Sequence, residues 1–229
     1  MPKQTSLQNI FSDKSSLVLR AFLREPDKKW TVPELAKEGI SFGLASAVLA
    51  KAEADGYVER ALKGRESYSR LIRKEKLRQD WISAYSFERN QYDYYLSTDK
   101  DFLKNCSQYL NQKKKAFALT LYSASRLVSP YVKDDRHFIC LDIERNKFTT
   151  FLKEMQLQLN LYKLVHGGNV CFILPFYRSS IFKDSRMVKG SPIVSNLQLY
   201  LDLMAFPPTG PEEAQHLISH FKKKGQSFA

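Results

Sequence analysis

The sequence predicts an α+β fold: a helical module ending in a basic hairpin, then a larger domain of uneven helices and short strands. Three observations carry this expectation. Helix-period apolar patterns, separated by capping residues and a Gly turn, run from Lys14 to Asp55. Two alternating segments then flank the tight turn Lys63-Gly64-Arg65. Beyond residue 86, short apolar runs alternate with helical stretches too irregular for a regular parallel winding.

In the first module, Ser15 is expected to cap a helix whose apolar positions are Leu17, Val18, Ala21 and Phe22, with Pro26-Asp27 ending it. Thr31 should cap a second helix through Val32-Pro33-Glu34-Leu35-Ala36-Lys37, with Gly39 as the break and Ser41 as the next cap. A third helix, Phe42 to Asp55, is expected to turn Leu44, Val48, Leu49 and Ala52 inward, leaving Gly43, Ser46, Ala47, Ala50 and Lys51 outside. Gly56 ends it, and strands Tyr57 to Leu62 and Glu66 to Leu71 close a hairpin.

This order is that of a winged helix-turn-helix, and small, polar and basic side chains on a third helix suit a major groove. The expected DNA-contacting set is Ser41, Phe42, Gly43, Ser46, Ala47 and Lys51 on the helix, with Lys63, Gly64, Arg65, Tyr68 and Arg70 on the wing. Phosphate contacts from such a wing give affinity and register without reading sequence. The plainer alternative is a small helical core with a solvated hairpin, serving protein contacts.

Composition agrees with a polyanionic partner without naming one. The chain has 229 residues, 36 Lys and Arg against 24 Asp and Glu, and a formal charge of +12. Its 43% hydrophobic and 13% aromatic content marks a folded protein. The length leaves room for a second core beyond the first module, so the expected domains are 1–86, including a basic connecting helix over Ile72 to Phe87, and 87–229. No apolar run reaches the ~20 residues that span a bilayer, and Met1-Pro2-Lys3-Gln4-Thr5 lacks a signal peptide's apolar core, so the expected location is cytoplasmic. Cys106, Cys140 and Cys171 are odd in number and far apart, which fits buried small hydrophobes better than disulfides or a zinc site.

In the second domain, strands are expected over Ala116 to Leu121, Phe138 to Ile143 and Val170 to Leu174. Helices are expected over Lys100 to Leu110, Ser123 to Val128, Asn146 to Leu159, Val194 to Met204 and Pro211 to Phe221. The tyrosine-rich segment from Phe87 to Leu96 begins a new pattern, with tyrosines that pack a strand. Sequence features of catalysis are missing. There is no P-loop, and His166-Gly167-Gly168 lacks a Gly-x-Ser-x-Gly partner, so it reads as a turn between helix and strand. Asp142 has no second carboxylate two residues away to help hold Mg²⁺. His137, His166, His216 and His220 are scattered and read as surface or helix-end residues. No catalytic residue, metal site or cofactor is expected.

A module of this kind followed by Ala118-Leu119-Thr120, Ser123-Ala124-Ser125-Arg126-Leu127, Pro130-Tyr131 and the run Ser191 to Leu203 resembles the AbiEi family of antitoxin-type transcriptional regulators from bacterial type IV toxin-antitoxin systems. The most specific part is Val194 to Leu203, followed by Gly210 and Glu212-Glu213-Ala214. The resemblance implies an N-terminal domain that binds operator repeats in double-stranded DNA and represses its own operon. It also implies a C-terminal domain that supports antitoxicity on a nucleotidyltransferase-like fold without catalysis, with a cognate nucleotidyltransferase-like toxin as the protein partner. Ala47 departs from the longer polar residue common at that position, which leaves sequence readout weak or shifted to Ser41, Ser46 and Lys51. Two rivals remain: a nucleotide-acting enzyme whose only candidate residues are Asp142, Asp202 and His166, and a winged-helix protein adaptor.

Overall fold

The computed structural model describes residues 9–61, 64 and 67–225. Contacts divide the chain between Ser86 and Phe87 into two compact units. The first contains α1 (Ser16–Arg24), α2 (Val32–Ala36), α3 (Phe42–Ala54), the antiparallel strands β1 (Val58–Ala61) and β2 (Tyr68–Leu71), and α4 (Lys74–Ala84).

Local chemistry explains each helix start. At α2, Thr31 Oγ1 accepts the Glu34 N–H and the Glu34 carboxylate accepts the Thr31 N–H at 2.9 Å, a reciprocal capping box. At α3, Ser41 Oγ accepts the Leu44 N–H at 3.2 Å. Ser15 does not cap α1. Its backbone is already helical, because Ser16 N–H bonds back to the Ser12 carbonyl and Ser16 Oγ donates to the Asp13 carbonyl. α1 is buried from Ser16 to Leu23, so it forms the center of this unit rather than one amphipathic wall. On α3 the inward set is Ala45, Val48, Leu49 and Ala52. Leu44, expected inside, is half-buried, since the stripe runs from Ala45 at spacings of three, four and seven.

The segment expected to be a connecting helix packs onto this unit. Trp81 and Leu77 of α4 are buried, Phe11 lies 5.7 Å from the Trp81 ring, and Tyr57 Oη donates to Asp80 at 2.7 Å. A fully buried Trp or Leu contributes roughly 1.5–3 kcal/mol, enough to hold a short helix that would not be stable alone.

The second unit is built on a seven-stranded mixed sheet of order β6-β3-β7-β5-β4-β9-β8. Its strands are β3 (Gln91–Leu96), β4 (Phe117–Leu119), β5 (His137–Leu141), β6 (Tyr162–Leu164), β7 (Val170–Leu174), β8 (Arg186–Val188) and β9 (Ser191–Ile193). Its helices are α5 (Phe102–Gln112), α6 (Leu121–Val128), α7 (Phe148–Gln158), α8 (Asn196–Met204) and α9 (Gly210–Lys223). β5 and β7 pair in parallel at the center and β4 pairs in parallel with β9 toward one edge, while the remaining pairs are antiparallel. The fold class is α+β as expected, and each of the five expected helices is present. Strands β6, β8 and β9 were not anticipated, each being three residues long.

Three boundaries differ from the sequence-based expectation for physical reasons. β4 ends at Leu119 because Leu121 adopts φ +47°, a left-handed backbone that stops a strand and opens α6 two residues early. α8 starts at Asn196, where Ser195 Oγ accepts the Gln198 N–H at 3.2 Å, so Val194 lies outside it. The His166-Gly167-Gly168 turn joins strands β6 and β7, not a helix and a strand.

Gly168 is required there: with φ +85°, an added Cβ would sit 2.3 Å from the Tyr95 carbonyl oxygen on β3. Gly167, at φ +76°, would meet nothing within 4 Å. Gly168→Ala should therefore cost about 3 kcal/mol or more, combining backbone strain with a displaced strand, and Gly167→Ala about 1 kcal/mol. Urea denaturation of the two variants checks this, and equal losses would mean that β3 yields freely.

Candidate nucleic-acid interface

The α2 to α3 corner and the β1–β2 hairpin form one surface of the first unit. Gly39, at φ +103°, turns the chain between the helices. Capping at Ser41 then leaves the first turn of α3 presented to solvent. Phe42 is 60% exposed, and Gly43, Ser46 and Ala50 are exposed at spacings of three and seven along the same face. Ala47 and Lys51, expected on this face, are half-buried at its margin. Lys51 is also committed to Asp55 by a 2.6 Å ion pair.

The hairpin is fixed by a third extended segment. Trp30 and Ser69 exchange both backbone N–H···O bonds at 2.8 Å, pinning the stem of β2 beside the start of α2. The register pairs Ala61 with Tyr68 and Glu59 with Arg70. Arg70 therefore meets Glu59 directly across the strands at 2.6 Å, and Arg60 lies 3.7 Å from Glu53 of α3. Gly64 is exposed with φ +58°, while Lys63 and Arg65 lie outside the described residues.

Sequence reading missed Lys29. Its neighbor Trp30 bridges β2, which places the Lys29 ammonium 4.6 Å from the Tyr68 ring on the hairpin stem. The Lys28-Lys29-Trp30 run before the second helix is the signal that could have found it.

In the second unit, the residues considered for catalysis occupy different settings. Asp142 is exposed after β5, and His166 is exposed in the β6–β7 turn. Asp202 is buried in α8, where its carboxylate accepts from Thr120 Oγ1 and from Gln198 Nε2. Both oxygens are thus committed to side chains that hold the β4–α6 junction against α8. Among the described residues no group of three His, Cys, Asp or Glu side chains could hold a metal ion. No helix among the described residues is long and apolar enough to cross a membrane.

The three cysteines are buried and unpaired. Burial pushes the thiols of Cys106 and Cys171 up to about 12 and that of Cys140 well above its ordinary value. Two histidines depart from the surface expectation. His216 stacks on Tyr131 at 4.7 Å and bonds Ser129 Oγ through Nδ1 at 3.0 Å. His137 is half-buried on β5, with Nδ1 3.0 Å from the Arg126 guanidinium.

A stretch covering residues 70–221 matches the model of a family of transcriptional regulators. The chain belongs to that family, the AbiEi antitoxins of type IV toxin-antitoxin systems. The match begins within β2 and ends in α9, so it leaves α1, α2 and α3 outside. Comparison with curated proteins and with solved structures returns no match.

Burial, aided by the Arg126 charge, lowers the His137 pKa to about 4 from its usual 6.5. The ring is neutral in the folded unit where the unfolded chain would already be protonated. Its contribution is therefore fully present above pH 6.5 and is lost as pH falls from 6.5 toward 4. The loss should be about 2 kcal/mol after discounting for partial exposure. A series of denaturation curves over that window should show the decline in the native protein and a flatter one in His137→Gln. Parallel declines would assign the pH response to other groups.

Proposed function

We propose that the chain is a cytoplasmic, DNA-binding autorepressor and the antitoxin of its operon, with the first unit acting as a winged helix on duplex operator repeats. One observation carries the reading: α3 offers a solvent-facing stripe of Phe42, Gly43, Ser46 and Ala50 whose small residues admit close approach to a groove, flanked by the paired hairpin. The net charge of +12 and membership of a regulator family support it. Ser41, Ser46 and Lys51 are the candidates for base or phosphate contact, and Tyr68, Arg70 and Lys29 for phosphate contact along the stem.

The ion pairs add an electrostatic condition. Lys51 with Asp55, Arg60 with Glu53 and Arg70 with Glu59 are held by internal carboxylates, so phosphates must compete for these cations. Gel-shift titration with the native upstream region tests both statements. Ser46→Glu should weaken specific binding on the order of 100-fold, because a carboxylate on the groove face meets phosphates and base acceptors. Glu59→Gln should free Arg70 and raise affinity for operator and random duplex alike by roughly two- to fivefold. Unchanged affinity in both variants would remove the surface from DNA binding and favor the protein-adaptor reading, for which the exposed Phe42 is the natural anchor.

The second unit is proposed to be non-catalytic. The buried, doubly committed Asp202 and the isolated, exposed Asp142 support this. Purified protein with Mg²⁺ and labeled nucleoside triphosphates should transfer no label to RNA or protein. Label transfer abolished by Asp142→Ala would instead establish an enzyme.

A further inference from the structure

Along one face of α5 the second unit carries a groove that neither DNA binding nor the core accounts for. A cavity of about 480 Å³ is lined by Lys100, Lys104, Ser107, Gln108 and Asn111, with Gly190 and Ser191 of the β8–β9 hairpin across from them. An adjoining cavity of about 280 Å³ shares Ser107, Asn111 and Gly190 and extends to Lys115, Phe117, Met187 and Pro192. Lys104, Ser107, Gln108 and Asn111 recur at helical spacing, so they share one face of α5. Lys100 precedes the helix and Lys115 follows it, giving a groove roughly 20 Å long at 1.5 Å per residue.

The charges in this groove are not tied down by close ion pairs, although Lys115 lies near enough to Glu144 to help hold that carboxyl below its ordinary value. Among the described residues, Lys100, Lys104 and Lys115 make no ion pair, whereas Lys113 on the same segment is tied to Glu154 of α7. Asp101 is the single acid among the lining residues. At the far end, Met187 is 65% exposed, an apolar contact left open to solvent.

We infer that this groove binds an extended acidic peptide segment of a protein partner, one in which acidic and neutral residues alternate. Charge complementarity selects an anion. The length suits an extended chain, since about six residues of a strand at roughly 3.3 Å each span about 20 Å. Ser107, Gln108 and Asn111 supply donors and acceptors for a peptide main chain, and Met187 receives an apolar side chain. Asp101 disfavors an unbroken run of acids. A single nucleic-acid strand fits less well, because binding one calls for exposed aromatic stacking platforms, and the aromatic rings lining these cavities are Phe117, which is buried, and His137, which is half-buried.

The test uses the full chain and fluorescence anisotropy with a labeled peptide of alternating Glu and Val residues, beside a labeled oligouridylate of equal charge. The peptide should bind saturably, and Lys100→Ala/Lys104→Ala/Lys115→Ala should weaken it about tenfold. Removing three charges at Lys222, Lys223 and Lys224 should leave it unchanged, and so should Ser46→Glu on α3. Met187→Ser should weaken peptide binding without altering its salt dependence. Equal weakening by both triple variants would show bulk attraction and overturn the site. Tighter, groove-dependent binding of the oligouridylate would overturn the choice of ligand, and absence of peptide binding at low salt would overturn the proposal altogether.

Discussion

The parallel pairing of β5 with β7 is the constraint on which the second unit depends. Phe138 to Leu141 and Val170 to Leu174 are buried along their length, so the pair must be covered on both faces. The register sets which side chains go where. His137 and Ile139 share a face with Val170 and Phe172, and Phe102 of α5 packs on it. Phe138 and Cys140 share the other with Cys171 and Ile173, and Tyr122 of α6 packs there. Two helical layers are thus obligatory, and the polar groups caught between them need internal partners. Thr120, Gln198 and Asp202 satisfy one another, and Ser123 Oγ accepts the Phe138 N–H while donating to the Arg136 carbonyl.

The first unit solves a smaller version of the same problem. Two short strands cannot bury enough surface alone, so a buried α1, the Trp81 side chain of α4 and the backbone bridge from Trp30 supply the support. That bridge has a positional effect too. It ties the segment entering α2 to the return strand of the hairpin, so the α2–α3 corner and the hairpin stem are held as one surface.

Legibility in the sequence followed the length of each signal. The caps at Thr31 and Ser41 were readable because a side chain bonding its own next turn is a local event. Helices α5 to α9 were readable because their apolar periodicity extends over at least two turns. Tyr162-Lys163-Leu164, Arg186-Met187-Val188 and Ser191-Pro192-Ile193 are too short for any period to emerge, and only pairing with neighbors makes them strands. Leu121 hid a left-handed turn because a buried Leu gives no sign of φ +47°. On the candidate surface, Phe42, Gly43 and Ser46 could be assigned outward from helical phase alone. The pair of Lys51 with Asp55 follows from i,i+4 spacing, whereas those of Arg60 and Arg70 do not, since both meet acids brought near by folding rather than by helical spacing.

The distribution of the thiols has a practical corollary. Cys106, Cys140 and Cys171 all lie in the second unit, on α5, β5 and β7, and the first unit has none. Each thiol is buried and held protonated, so an alkylating reagent gains access only when the sheet and its covering helices separate. The native chain therefore carries its own reporter of opening in one unit, silent to any loosening of the other, and the two stabilities can be followed separately without adding a probe.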